Sequence, residues 1–176
     1  MFDKANLYFQ DESRFGLKTH TGRCITIKGV KPIVTYQHKF ETTYLWGSYS
    51  PIDGDSFVWE INGVNKKIWE QYLQALSKHR PNELKILVID NAGFHSLKDI
   101  TVPKNIVFIN IPPYSPELNA CERMWHYIKS KFKNKIMQDM EQLRNWLHNE
   151  VKSITAEQVK SIVNHDCFVK HFNASF

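Results

Sequence analysis

LKILVIDNAGFH, residues 84–95, decides how this chain reads. Leu84 to Ile89 is apolar at nearly every position. Such a run is a strand covered on both faces, in the middle of a sheet packed between helices; a half-solvated strand alternates instead. The run ends at Asp90, and Asn91 and Gly93 follow as turn residues. Asn105 to Asn110 (NIVFIN) repeats the apolar pattern. Parallel-type strands of this kind imply an α/β layer fold with helices on the sheet faces. In such sheets functional groups gather beyond the carboxyl ends of the strands, where Asp90 stands.

The first third of the chain reads as β. Asn6 to Asp11 forms a short strand with Leu7, Phe9 and Asp11 on one face and Tyr8, Gln10 and Glu12 on the other. Cys24–Lys28 and Ile33–Gln37 are expected as strands around a turn at Gly29. Thr42–Tyr49 and Phe57–Ile61 are two more, rich in aromatic and β-branched residues. The spacing of Ile68, Trp69, Tyr72, Leu73 and Leu76 predicts a helix over 66–78 with Asn65 as its cap. Beyond the second apolar run, Ser115, Pro116 and Glu117 read as a helix start, with the helix continuing to about Lys135. Its apolar stripe is Cys121, Met124, Trp125, Ile128, Phe132 and Ile136. A helix from Asp139 to Ser153 follows, and Thr155 with Gln158 forms a capping box for a last one.

Composition narrows the class. The 176 residues suffice for one domain with a real core. Hydrophobic residues at 42% and charged residues at 23% match a globular chain rather than a disordered one. A net charge of +5 permits a nucleic-acid partner without demanding one. Cys24, Cys121 and Cys167 include no CxxC pair, so reduced thiols in the cytoplasm are expected rather than a disulfide framework or zinc knuckle. No stretch approaches the roughly 18 apolar residues of a membrane span.

Three acidic residues sit where chemistry belongs. Asp11 closes the first strand, Asp90 closes the buried one, and Glu122 lies on the helix after PPYSPELNAC. Three carboxylates on three elements suit a divalent-metal site. Magnesium takes oxygen ligands, and two ions about 4 Å apart serve in-line phosphoryl displacement. Without metal the three acids repel one another. Each also has a plain structural reading: a strand-end Asp caps a turn, and a helix Glu is solvated. Asp53 and Asp55 serve a Gly-containing turn, and Glu117 suits a helix N-terminus. Glu12 points away from Asp11 and is not expected to share its metal.

Taken together, DESRFGL, DNAGFH and PPYSPELNACERMW resemble the catalytic blocks of DDE transposases, in the bacterial insertion-sequence branch of the mariner superfamily. The likeness covers about residues 6–136, and the last block is highly specific. It implies a ribonuclease H-like fold: a central mixed five-stranded sheet flanked by helices. Carried over residue by residue, the catalytic and metal-binding triad is Asp11, Asp90 and Glu122, which selects Glu122 over Glu117. One departure is NAC where Asn-Pro-Ile is usual before the Glu; Ala120 and Cys121 are small and fit a helix. The implied cofactor is two Mg2+ ions, with Mn2+ able to substitute, and no small-molecule cofactor. The implied partners are double-stranded DNA (element terminal repeats and target DNA) and further copies of the chain, as a homodimer or higher assembly on DNA. A cytoplasmic, nucleoid-associated location follows, with no membrane.

Around the triad, several residues are candidates to support the carboxylates or touch DNA. Asn91 is expected to orient Asp90. His95 reads as a contact to a phosphate or carboxylate, not as a metal ligand. Tyr114 and Ser115 lie in the loop before the Glu122 helix. Asn119, Glu122, His126, Lys129 and Lys133 recur at spacings of three and four, hence on one helix stripe that tracks a phosphate backbone. The expected organisation is a single catalytic domain over 1–176, without the N-terminal helix-turn-helix region that similar transposases carry. The competing readings are a ribonuclease H-like nuclease or resolvase that cannot join strands, and a non-catalytic DNA-binding remnant.

Overall fold

A computed structural model describes residues 2–19, 25–31, 33, 35–95 and 100–175, the side chains of 94 and 173–175 excepted. Five strands form one sheet: β1 (Lys4–Gly16), β2 (Thr42–Tyr49), β3 (Ser56–Ile61), β4 (Glu83–Ile89) and β5 (Ile106–Asn110). Their order is β3-β2-β1-β4-β5. β1, β2 and β3 pair antiparallel, whereas β4 runs parallel to both β1 and β5. The sheet is therefore mixed and five-stranded, as expected. β1 is central and runs five residues past Asp11, because Asp11 to Gly16 pair with Gly47 to Thr42 of β2.

The helices are α1 (Lys66–Lys78), α2 (Cys121–Phe132), α3 (Met140–Ser153), α4 (Ala156–Ile162) and α5 (Asp166–Ser175). Strand alternation divides the apolar residues into two cores. Leu7, Phe9, Phe15 and Val88 pack with Met124, Trp125, Ile128 and Leu143 of α2 and α3 on one face. Tyr8, Trp46, Leu87 and Ile89 pack with Trp69, Tyr72 and Leu76 of α1 on the other. Asn65 caps α1 by accepting from the Ile68 amide, and Thr155 with Gln158 closes the predicted capping box at α4. No helix among the described residues is long and apolar enough to cross a membrane.

Three expectations change. The segment expected as two strands over 24–37 forms no strand among its described residues; Cys24 and Val34 lie outside them. The turn at Gly29 is present, but Ile25, Ile27 and Ile33 are exposed, because no sheet face lies beneath them. The helix expected from Pro116 to Lys135 is a 3₁₀ turn (Pro116–Leu118) followed by α2, which begins only at Cys121. Asn119 causes the break. Its backbone is extended while its side chain accepts from the Cys121 amide at 3.1 Å and donates to the Gln10 carbonyl at 2.8 Å. Extended backbone at Lys133 and a left-handed Asn134 end α2 early, leaving Ile136 outside it and exposed. α5 was not legible in advance.

Candidate active site

The parallel register of β1 and β4 builds the site. Lys4 through Phe9 pair with Glu83 through Val88. Continued two residues, that register sets Asp11 beside Asp90, one strand apart. Neighbouring strands lie about 4.8 Å apart, so the two carboxylates rise from adjacent positions at the same level. Glu122, in the first turn of α2, lines the same cleft, which has a volume of about 430 Å³. Pro112 to Pro116, between β5 and α2, form its other wall. Glu117 is absent from the lining, whereas Asn91, Tyr114, Ser115 and Asn119 are present.

Each aspartate is held by a specific donor. The Trp125 indole N–H donates to Asp11 Oδ2 at 3.0 Å. The indole lies across the sheet beside Gly47, the partner of Asp11 on β2. A Cβ at Gly47 would stand 2.7 Å from the Trp125 ring and 2.6 Å from Tyr49, so only glycine leaves the ring room. Asp90 Oδ1 accepts from the Ala92 amide at 2.9 Å and from His95 Nδ1 at 2.8 Å.

His95 is buried, its ring 4.7 Å from Trp69, and its Nε2 bonds Glu12 Oε1 at 3.2 Å. Glu12 also accepts from Gln10 at 2.6 Å. Burial alone would lower the His95 pKa, but the Asp90 and Glu12 carboxylates raise it to about 9. The ring therefore carries a proton on both nitrogens at neutral pH and clamps Asp90, whose own pKa it lowers.

Asp11 is the opposite case. Burial, together with the negative charges of Glu12, Glu122 and Asp90, pushes its pKa up to about 8. The cleft thus concentrates carboxylates with no cation of the protein among its lining residues. Among the described residues, no three histidine, cysteine or acidic groups form a ready-made metal cluster. The donor chemistry nevertheless fits a hard divalent ion: every candidate ligand is a carboxylate oxygen, and the repulsion that raises Asp11 is what a cation relieves.

The remaining candidates take distinct places. The Asn91 amide donates to the Ile111 carbonyl at 2.6 Å, bracing the loop after β4 against the end of β5 instead of touching Asp90. Ser115 Oγ turns back to the Pro113 carbonyl. Asn119 is buried and precedes α2, so the proposed helix stripe begins at Glu122. On that stripe His126 is exposed, Lys129 sits over the Phe15 ring at 5.7 Å, and Lys133 is exposed just past the helix. The Trp125 and Gly47 roles were missed by the sequence reading, which placed Trp125 in the core. A buried indole N–H needs an acceptor, and the position one turn from Glu122 pointed to one.

A mixed sheet in this order, flanked by helices, with one acid within its central strand, one just past the end of the parallel neighbour and one on a helix across them, defines a ribonuclease H-like catalytic domain. The chain belongs to the DDE superfamily endonucleases, whose family model matches residues 6–144. It is similar to an uncharacterized protein of Sinorhizobium fredii, y4pE/y4sA, with 26% identity over 125 residues, covering 70% of this chain and 79% of that protein. Its fold is that of the Mos1 mariner paired end complex with Mn (TM-score 0.71, 16% identity, 90% of this chain, 51% of that one). The paired end complex with Mg gives a TM-score of 0.65 at 15% identity, again covering 90% and 51%. The chain spans about half the length of the Mos1 chains it matches.

Proposed function

We propose that this chain is the catalytic portion of a cut-and-paste DNA transposase, of the bacterial insertion-sequence kind, with Asp11, Asp90 and Glu122 as its catalytic residues. The observation that carries the reading is that Asp11, Asp90 and Glu122 line one cleft, just beyond the parallel pairing of β1 with β4.

The chemistry is two in-line displacements at phosphorus. Water attacks a phosphodiester at the element end; a new P–O bond forms, the old one breaks, and a 3′-hydroxyl leaves. That 3′-hydroxyl then attacks a phosphodiester of target DNA, displacing a second 3′-hydroxyl. Asp11 and Asp90 would hold two divalent ions between them, and Glu122 would complete one set of ligands. The ions, when bound, neutralise charge on the attacking, bridging and leaving oxygens. Trp125 and His95 fix the two aspartates in orientation, a service that matters because misaligned carboxylates lose affinity for metal. No side-chain nucleophile is needed.

Mos1 paired end complexes with Mn and with Mg support a divalent ion here, and they support assembly of several copies around paired element ends. His126, Lys129 and Lys133 lead away from Glu122 and would follow the phosphate backbone. A cytoplasmic, nucleoid-associated protein fits this role. The test is nicking of DNA carrying the element ends in Mg2+ or Mn2+. Wild type should nick and then join strands, and Asp90→Asn should fall to background. Retained nicking by Asp90→Asn rejects the triad, and cutting without joining reduces the protein to a nuclease.

A further inference from the structure

Tyr114 is a tyrosine with a left-handed backbone (φ 61) whose side chain is fully exposed at 101%. Both features are costly. A bulky residue at positive φ is strained, and a bare aromatic ring in water gains nothing from burial. Among the described residues, the other non-glycine residues in this conformation are Arg80 and Asn134. Asparagine tolerates it, and Arg80 is anchored by ion pairs to Asp53, Asp55 and Glu83. Tyr114 has no side-chain hydrogen bond or ring contact to any described residue. Nor is the loop free to relax: Pro112, Pro113 and Pro116 restrict the backbone on either side. The ring is thus held out, on a stiff loop, at the mouth of the cleft that Asp11, Asp90 and Glu122 line.

We infer that Tyr114 is a stacking platform for an unpaired base next to the phosphate being cut or joined. The inference rests on the DNA reading above. A phosphate that reaches carboxylates inside a cleft leaves the surface of a regular duplex, and the adjoining base loses a stacking neighbour. An exposed ring at the cleft mouth replaces that neighbour. Base–aromatic stacking is sequence-tolerant, because every base offers a π-face. Tyr114 therefore positions the strand without reading its sequence.

The test uses a duplex with a recessed 3′-hydroxyl and 5-iodouracil as its terminal base, bound to the full chain in Ca2+ and irradiated. The crosslink should map to Tyr114, persist in Tyr114→Phe, and vanish in Tyr114→Ala. In nicking assays with Mg2+, Tyr114→Ala should raise KM about tenfold to hundredfold with a smaller change in kcat, as loss of one stacked base implies. Tyr114→Gly separates ring from loop, since it removes the ring while relieving the backbone. It should melt no lower than wild type yet match Tyr114→Ala in KM. A wild-type KM in Tyr114→Gly, or a crosslink that maps elsewhere in a protein that nicks normally, overturns the inference alone. Failure of wild type to bind or nick DNA overturns the transposase reading and this inference with it.

Discussion

At the scale of single residues, the site trades stability for chemistry. Asp11 shows the trade with a definite sign. Its pKa in the folded protein, about 8, lies above the usual carboxylate value. Below pH 4 the group is protonated whether folded or not, and it costs nothing. As pH rises from 4 to 8 the unfolded chain ionises while the folded one holds its proton, so stability is progressively lost. Asp11→Asn should therefore stabilise the metal-free protein at pH 8 by about 1 kcal/mol or more. That corresponds to roughly 2–4 °C in melting temperature for a chain of this size. The asparagine oxygen can still accept from Trp125, so packing is preserved while nicking is lost. Equal melting temperatures at pH 8, or a gain that does not shrink at pH 5, would count against the electrostatic account. His95 is the counterpart. The sequence reads it as a contact to a phosphate or carboxylate and not as a metal ligand, and both of its nitrogens meet carboxylates, one of which it holds in place.

At the scale of elements, the contact between α2 and the β1–β2 pair sets the geometry of the cleft. α2 lays Trp125 across the sheet because Gly47 leaves a gap there, and the same indole reaches Asp11. Gly47→Ala should cost about 1–3 kcal/mol through overpacking. It should also reduce nicking beyond what its stability predicts, because the displaced indole no longer orients Asp11. Melting and nicking measured on one preparation check this; a variant that is unstable but fully active when folded would break the link. This contact also marks the limit of what sequence patterns convey. Alternation in β1 correctly assigned Asp11 and Glu12 to opposite faces, and the 3.6-residue period placed Cys121, Met124, Trp125, Ile128 and Phe132 in the core. Periodicity describes one element against a generic surface. It carries no information on which donor meets which acceptor across elements, so the Trp125–Asp11 bond and the backing of His95 by Glu12 stayed hidden. The restart of the helix at Cys121 was hidden for the same reason: Ser-Pro-Glu is a good helix start locally, and the tertiary bond from Asn119 to Gln10 overrides it. The apolar residues over 25–33 failed in the other direction, because alternation predicts a strand only where a partner strand exists.

At the scale of the whole molecule, charge is segregated to two ends of the sheet and handled differently at each. The cleft acids stand where β4 ends: Asp90 just past that strand, Asp11 within β1 and Glu122 on α2. The start of the same strands carries a compensated network. Lys4 and Arg80 bridge Asp53, Asp55 and Glu83, while Tyr8 donates to Glu83 at 2.6 Å and Asn6 to Asp53 at 3.1 Å. The network ties β1, the β2–β3 turn, the end of α1 and β4 at one point. Burial would raise the Asp53 pKa, but hydrogen bonds from Lys4, Asn6 and Arg80 outweigh it and hold the group well below the usual carboxylate range. Glu83 is lowered in the same way by Tyr8 and Lys4 against the effect of burial. Carboxylates depressed in the folded state contribute stability that is present above their unfolded pKa, about 4, and lost as pH falls through the folded value. With partners as exposed as Lys4 and Arg80, each carboxylate is worth about 1 kcal/mol after solvent screening. The melting temperature should fall by about 4–8 °C between pH 5 and pH 2 from this network alone. Asp53→Asn should begin lower at pH 5 and lose less over the same interval, so the two melting curves converge as the pH falls. Curves that stay parallel to pH 2 would mean that the acid sensitivity of the fold lies elsewhere.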